Sequence, residues 1–318
     1  MLQFIKTRHR ELRCLTAMLA VIMTVLAVPV QAASVFYDTD GHWALTSIDY
    51  MVKKGVLSGY TDGSFRPDAT VTRAEFVKMT VETFGLVGSV SPGFADVAPS
   101  DWYYPYVASA KAQGFLIDYG TYFNPNTEMT REEAVTLVSR YLDLPADKTH
   151  TSAVYADYNT ITPEYRAHVL RASYAGLIKG YPDITFRPQK TLTRAEALVV
   201  LCRAAGTIYD DTADSIYDDS TGNAVVTTSN RRLEDVHVDG DMLITEGAAG
   251  GMLELVDCSI GGTLHIRSNA TILLYGCDVG RVAVDLTLGE TARIGVKDFT
   301  RIERMEMLTP TGVRRGCF

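Results

Sequence analysis

The stretch that decides the fold reads GYTDGSFRPDATVTRAEFV and spans residues 59–77. A close copy of it, GYPDITFRPQKTLTRAEAL, occupies residues 180–198. Asp-Gly followed by proline is typical of a turn, and Thr-x-x-Glu directly before an apolar run is typical of a helix start. A turn that leads into a helix, found twice in one chain, indicates a repeat protein.

A weaker copy lies between these two, in the segments Asp118-Tyr119-Gly120, Phe123-x-Pro125 and Thr130-Arg131-Glu132-Glu133. Each unit opens on an aromatic residue followed by an aspartate: Phe36-x-Asp38, Phe94-x-Asp96 and Tyr155-x-Asp157. Each also holds a first amphipathic helix, so the three units share a helix–turn–helix plan of about 60 residues. Because neither helix could bury its apolar stripe alone, we expect the copies to pack on one another.

The Thr-x-x-Glu motifs are predicted capping boxes, which satisfy two backbone N–H groups at each helix start. The residues concerned are Thr72, Glu75, Thr130, Glu133, Thr193 and Glu196. Capping does not explain the arginine after each threonine, because the helix dipole disfavours a cation there. Arg73, Arg131 and Arg194 either bind a carboxylate or phosphate beside free N–H groups, or pair with an acidic residue of a neighbouring repeat.

Trp43 and Trp102 are the only two tryptophans, and both stand near the start of a first helix. A flat apolar ring can stack on the face of a sugar, although a tryptophan at a helix entry also often packs in the core. The third unit has no tryptophan, and Tyr165 is its nearest aromatic counterpart.

Together these motifs resemble the S-layer homology domain family, nearly completely in residues 36–84 and partially in 94–144 and 155–206. The resemblance implies a mostly helical, pseudo-threefold unit. Grooves between its lobes would bind a secondary cell wall polysaccharide, commonly one that carries pyruvate ketals. It also implies roles for individual residues: carboxylate contact for Arg73, Arg131 and Arg194, sugar contact for Trp43 and Trp102, and close backbone approach to the ligand at Gly59 and Gly180.

The three units are not equal, since the third lacks a tryptophan and the second has Asp118 where the others have Gly59 and Gly180. We therefore do not expect three working grooves, and the first is the best candidate. The predicted modules span residues 36–88, 94–147 and 155–206.

The first 32 residues read as a signal peptide, with a basic start, the uncharged run Leu15–Val28 and a cleavage site at Val30-Gln31-Ala32. A retained membrane anchor is the alternative, which the apolar run disfavours because it is shorter than the roughly 20 residues that span a bilayer. The first 33 residues carry a net charge of +3, which leaves −11 for the remainder of a chain with −8 overall. A protein with this much negative charge repels nucleic acid and anionic lipid. We expect neither a nucleic-acid partner nor membrane association after signal cleavage.

Residues 207–230 look like an acidic linker, and residues 231–318 alternate short apolar strands with glycine. A step of about 20 residues predicts a small right-handed β-helix or β-solenoid, with a β-sandwich as the competing structure. Cys258 and Cys277 fall at matching places in adjacent coils, where they are either buried or bridged.

The leading hypothesis is a non-catalytic, exported protein that is anchored on the cell wall and displays a β domain. One alternative is an anchored carbohydrate-active enzyme with its site in residues 231–318, and another is an S-layer subunit that self-assembles at the cell surface. No CxxC pair exists and the six histidines are scattered, so we expect no metal or cofactor.

Overall fold

The computed structural model describes residues 35–116, 119–144, 155–210, 219–286 and 290–307. The predicted signal peptide lies outside these ranges, as does Asp118. Among the described residues, no helix is both long enough and apolar enough to cross a membrane.

The α-helices of the described residues come in three pairs, one per repeat: α1 Leu45–Lys53 with α2 Arg73–Phe84, α3 Tyr104–Ala112 with α4 Arg131–Tyr141, and α5 Arg166–Tyr174 with α6 Arg194–Ala205. The second helix of every pair starts at a complete capping box, in which the threonine side chain and the glutamate side chain each accept a backbone N–H. The first helix of each repeat packs on the second helix of the preceding repeat, and α1 packs on α6. The described residues between 36 and 206 therefore form a closed helical ring.

Three buried residues mark the centre of the ring: Val71, Met129 and Leu192. Val71 N–H donates to Leu192 O, Leu192 N–H to Met129 O, and Met129 N–H to Val71 O, at 2.9–3.1 Å. Each residue directly precedes a capping threonine, so the cycle repeats the same contact around a pseudo-threefold axis. The helical three-repeat fold expected from the resemblance is confirmed.

After the ring the chain forms parallel strands: β1 Thr207–Tyr209, β2 Ala224–Val226, β3 Arg231–Glu234, β4 His237–Val238, β5 Met242–Ile244, β6 Met252–Val256, β7 Ser259–Ile266, β8 Thr271–Tyr275, β9 Asp278–Val284, β10 Arg293–Lys297 and β11 Arg301–Met307. The larger sheet has the order β1-β2-β5-β7-β9-β11, with β4 also paired to β7, and the smaller sheet has the order β3-β6-β8-β10. Strands that alternate between two parallel sheets make a β-solenoid of about four turns. The solenoid prediction is confirmed and the β-sandwich alternative is wrong.

The predicted linker 207–230 needs correction, because it contains β1 and β2, whose residues are mostly buried. Ile208, Val225 and Leu243 lie in register on neighbouring strands and pack into the hydrophobic core of the ring. Two three-residue segments in an acidic stretch, Thr-Ile-Tyr and Ala-Val-Val, are too short to predict strands. They are stabilised by the ring that covers them. The acidic residues of 211–218 lie outside the described residues.

Cys258 and Cys277 are neighbours on adjacent coils, and both are buried free thiols. Each Sγ donates to backbone carbonyls, Cys258 to Val256 at 3.3 Å and Cys277 to Leu255 at 3.2 Å. The prediction that they are buried is confirmed.

Candidate functional site

The three motif arginines reach from each repeat into the next. Arg73 donates to Phe123 O at 2.6 Å and pairs with Glu133 at 2.7 Å. Arg131 donates to Phe186 O at 2.9 Å, and Arg194 donates to Phe65 O at 3.1 Å. All three side chains are only 6–8% exposed. The arginines therefore link repeat 1 to 2, 2 to 3 and 3 back to 1, and Arg73 forms the ion pair that was the alternative to a ligand.

The helix N-termini beside these arginines are occupied by the protein itself. In α2, Arg73 N–H donates to Thr127 O at 2.8 Å and Ala74 N–H to Pro125 O at 3.0 Å. Equivalent bonds start α4 and α6, from Arg131 to Lys190 and from Arg194 to Ala69. The idea that these termini offer free N–H groups to an anion is therefore wrong.

Each buried guanidinium also lies over the tyrosine of the next repeat's turn, at 4.9–5.2 Å from the ring centre: Arg73 over Tyr119, Arg131 over Tyr181 and Arg194 over Tyr60. A second, half-exposed arginine lies 4.0 Å from two of these rings, Arg66 on Tyr60 and Arg187 on Tyr181. Arg187 pairs with Asp183, and the hydrogen bonds from Thr185 and Arg187 lower the pKa of Asp183 to about 2.

The aspartate of each opening triplet has a role that sequence reasoning missed. Asp38 accepts from the N–H groups of Phe65 and Arg66 at 2.8 and 2.7 Å, and Asp96 and Asp157 bind their own turns in the same way. These bonds hold Arg66 at a positive φ of 57°. The signal was present in the sequence as an aspartate that recurs at the start of every unit.

Gly59 and Gly180 have a contact within their own repeat. A Cβ on Gly59 would lie 2.1 Å from the ring of Phe36, and one on Gly180 would lie 2.7 Å from the ring of Tyr155. No side chain fits at those distances, so the close approach that needs glycine here is to the opening aromatic residue of the unit.

The tryptophans are on the surface, with Trp43 63% and Trp102 55% exposed, so the core-packing alternative is wrong for both. The ring of Trp43 lies 5.5 Å from that of His42, and Trp102 meets Tyr103 edge-on at 5.3 Å. Both precede the residue that caps the first helix. In the third repeat this cap is Tyr165, so the exposed Glu164 occupies the tryptophan position.

Two depressions lie near the tryptophans. One of about 440 Å³ adjoins the residue after Trp102 and is lined by Asp96, Tyr103, Asn124, Pro125, Asn126 and Thr127. A larger one, of about 630 Å³, lies along α1 beyond Trp43, where the ring meets β2. Hydroxyl and amide groups of Thr46, Ser47, Ser220 and Asn223 contribute to its lining. Such polar groups are able to hydrogen-bond sugar hydroxyls.

The contact between repeats 2 and 3 differs from the other two. Glu132, only 3% exposed, accepts from Thr162 N–H at 2.9 Å, from the Thr162 hydroxyl at 2.6 Å and from Gln189 at 2.6 Å. The equivalent residues of the first and third repeats are Ala74 and Ala195. A buried carboxylate of the protein itself thus joins repeats 2 and 3, where the other two repeat contacts have alanine.

The solenoid brings His237 between two polar side chains. Its Nε2 lies 2.9 Å from Asp239, and its Nδ1 contacts the hydroxyl of Ser259. His237 and Asp239 are more than half exposed, so water screens their interaction. Within the described residues, no three metal-ligating side chains come together.

Comparison with known proteins agrees with the geometry of the ring. The family model described as S-layer homology domain matches residues 35–77, 93–135 and 154–198. An S-layer protein of Bacillus thuringiensis subsp. finitimus is 31% identical over 57% of the chain, and a cellulosome-anchoring protein of Acetivibrio thermocellus is 32% identical over 33%. An amylopullulanase of Thermoanaerobacterium thermosulfurigenes is 29% identical over 52% of the chain.

The chain spans only 22%, 25% and 9% of the lengths of these three relatives. The enzymes among the relatives match the helical repeats and not the solenoid. The helical repeats are therefore the part that this chain shares with relatives of quite different activity.

Proposed function

We propose that this chain, which carries three tandem S-layer homology domains, is held on the bacterial cell wall by a secondary wall polysaccharide and displays its β-solenoid there. Relatives named as S-layer and cellulosome-anchoring proteins support cell-wall anchoring and a cell-surface location. The observation that carries the proposal is that two tryptophans, at equivalent places in the first and second repeats, are exposed on the surface of the ring.

The proposed contact surface consists of Trp43 and Trp102 with the turn beside each of them. An exposed indole offers a flat apolar face, and leaving it in water costs free energy that stacking on a sugar recovers. Arg194 bonds the turn beside Trp43, and Arg73 bonds the turn beside Trp102. We assign to the arginines, and to Gly59 and Gly180, the task of shaping these turns, with direct ligand contact limited to the small exposed parts of Arg73 and Arg194.

Two sites, rather than three, follow from the differences between the repeats. At the contact between repeats 2 and 3, the buried Glu132 and the exposed Glu164 replace an alanine and a tryptophan. Two carboxylates repel a polymer that itself carries carboxylates. Arg131 at this contact is therefore proposed to serve the ring alone.

We propose that the polymer bears pyruvate ketals, and this part of the proposal rests on the resemblance to the family. Its carboxylates must be met by local cations, because the chain carries a net charge of −8. Arg66, half-exposed in the turn of the first repeat and paired there with Asp62 at 2.8 Å, is the cation that we propose for this task.

The test is co-sedimentation of the purified full chain with wall sacculi, prepared with and without their secondary polymer. We expect polymer-dependent binding that Trp43→Ala and Trp102→Ala each weaken roughly tenfold, or by about 1.4 kcal/mol. Met252→Ala, an exposed apolar residue of the solenoid, is the matched control and should bind normally. Full binding by the double tryptophan variant would refute the proposed surface, and binding without the polymer would refute the ligand class.

An anchored carbohydrate-active enzyme is the second candidate, favoured by the His237, Ser259 and Asp239 cluster. Release of soluble fragments or acyl groups from wall polysaccharide by the purified chain, and its loss in His237→Ala, would establish this candidate. We expect no such activity, because a half-exposed aspartate gives a histidine little support in water.

A further inference from the structure

The depression of about 630 Å³ has one wall from the helical ring and one from the solenoid. Residues of α1 and of the end of α6 form the ring wall, and residues 219–223, which lead into β2, form the solenoid wall. Its volume lies in the range of pockets that hold small ligands. A ligand in this depression would contact both parts of the chain.

One face of α1 connects the depression with the exposed Trp43. The α1 residues that line the depression are Thr46, Ser47, Tyr50 and Lys54. They follow Trp43 by three, four, seven and eleven positions, which is the spacing of a single helix face. Ile48 and Met51 are buried on the opposite face. At about 1.5 Å per residue this stripe is about 16 Å long, so a polymer stacked on Trp43 can continue along it.

The equivalent helix face of the second repeat is covered by the chain itself. There the buried Ser109 stands in the place of Tyr50, and its hydroxyl donates to Gly88 O at 3.2 Å. The chain that leaves α2 therefore lies directly on α3. In the first repeat the Tyr50 hydroxyl instead bonds the chain that leaves α6, at Gly206 O and Ile208 N–H. A chain held at the tip of a tyrosine leaves the helix flank beside it open.

The solenoid wall is fixed in place by bonds to both of its neighbours. Asn223 O accepts from Thr207 N–H of β1 at 3.0 Å, and Asn223 Oδ1 accepts from Asp241 N–H of the next coil at 3.1 Å. Gly206 comes so close that a Cβ on it would lie 1.8 Å from Asn223 O. A wall that is already ordered in the free protein lowers the entropy cost of binding.

Several polar groups of the depression are available to a ligand. In the part of the chain that the structure describes, the exposed side chains of Thr46, Arg203 and Thr221 make no hydrogen bond or ion pair. The side-chain nitrogen of Asn223 has no partner there either. Guanidinium and amide groups donate hydrogen bonds, and hydroxyls both donate and accept them, as the hydroxyl groups of a sugar require.

The charges of the depression favour an uncharged sugar. Lys54 is paired with Asp210 at 3.5 Å. Arg203 and Asp219 both line the depression, and among the described residues neither forms an ion pair. One cation and one anion together give no excess of positive charge for a carboxylate, so hydroxyl groups suit this lining better.

We propose that α1 and residues 219–223 of the solenoid form an extension of the wall-polymer site, which binds uncharged sugar residues of the polymer chain that stacks on Trp43. This extension rests on the proposed function. It makes the solenoid a part of the anchor as well as the domain that the anchor displays.

The test is calorimetric titration of the purified full chain with soluble polymer that is released from wall sacculi and fractionated by length. The affinity of the wild type should rise with fragment length until a fragment reaches from Trp43 into the depression. Thr221→Trp fills the depression from the solenoid side, and Arg203→Ala removes its unpaired guanidinium. Each should weaken the binding of long fragments about tenfold, as one or two lost hydrogen bonds do, and change that of the shortest binding fragments less than about twofold.

Thr291→Trp, at an exposed threonine of the last coil, is the matched control and should bind fragments of every length like the wild type. All three substituted side chains are exposed, so thermal melting should be unchanged. If both depression variants bind long fragments as the wild type does while Trp43→Ala still weakens binding, the extension is wrong and the anchor stands. Equal weakening at every length, or a wild-type affinity that does not depend on length, would also overturn the extension. A wild type that binds no fragment would overturn the anchor as well.

Discussion

The helical ring and the β-solenoid are both built from short repeats, yet the ring closes and the solenoid does not. In the ring, α1 packs on α6, so each repeat has two neighbours. In the solenoid, β1 is bonded to the ring while β11 presents an edge. Closure makes every repeat depend on every other, whereas linear stacking makes each coil depend only on its neighbours.

The two regions also place their charges in opposite ways. The ring buries its motif arginines and exposes its tryptophans, whereas the solenoid buries apolar residues and exposes the alternating charges of β11. A closed structure must satisfy polar backbone groups where repeats meet, and a guanidinium with several donors does so well. Its outer surface is then available for a ligand.

Opening the ring should have the largest effect. Arg194→Ala leaves the carbonyls of Phe65 and Ser58 without their donor and removes the link from the last repeat to the first. We expect a loss of about 2–6 kcal/mol in the free energy of unfolding, measured with urea, because each carbonyl left without its donor costs about 1–3 kcal/mol. Arg187→Ala, in the same repeat but half-exposed, is the control and should cost less than about 1 kcal/mol. Equal losses of unfolding free energy in the two variants would mean that the link from the last repeat to the first adds no more stability than a surface contact does.

In the solenoid, the stability lost on truncating a buried residue should depend on which coil holds the residue. In the ring, it should not depend on which repeat holds it. Ile260→Ala, in a middle coil and 3% exposed, should cost about 2–4 kcal/mol, and Ile302→Ala, in the last coil, about 1 kcal/mol. Phe65→Leu and Phe186→Leu, at equivalent and fully buried ring positions, should agree within about 0.5 kcal/mol. Thermal and urea unfolding of the four variants decides this, and a gradient within the ring would contradict it.

The contact between the two regions should respond to pH. Burial raises the pKa of Glu246 to about 7, with Arg267 opposing the shift. The folded protein therefore holds a proton that the unfolded chain releases near pH 4.5, so stability falls as pH rises from about 4.5 to about 7. Glu246→Gln should remove about 1–3 kcal/mol of this fall, measured as unfolding free energies at pH 5 and pH 8. An unchanged difference between the two pH values would place the effect elsewhere.

The smallest effect on stability should come from a residue with a large proposed effect on binding. Trp43→Ala removes a side chain that is 63% exposed, so we expect a change of less than about 0.5 kcal/mol in unfolding free energy. Calorimetric melting beside the sacculus assay separates the two properties. A loss of several kcal/mol would show that this indole supports the ring, as a core residue does.

Local patterns in the sequence were sufficient to predict much of the ring. The Thr-x-x-Glu motifs predict the starts of α2, α4 and α6, because a capping box involves residues three apart. The alternation of apolar residues with glycine likewise predicts the coils after residue 231, because each strand repeats its pattern in the next.

Interactions between distant residues were not predictable in this way. The guanidinium of Arg194 bonds a carbonyl 129 positions earlier, and no local spacing reveals such a partner. Whether Trp43 faces water or the core depends on what the neighbouring repeat leaves uncovered. β1 and β2 are strands because the ring covers Ile208 and Val225, which their three-residue length does not show.

Closure of the ring has a consequence for synthesis. Phe65 and Ser58 receive their arginine only after residue 194 has left the ribosome. Until then the first repeat holds an incomplete core, and contacts between such distant positions form slowly while apolar surface stays exposed. A chain that stops before α6 is therefore a substrate for aggregation or proteolysis rather than a smaller anchor, and the quality of the product depends on its third repeat being completed.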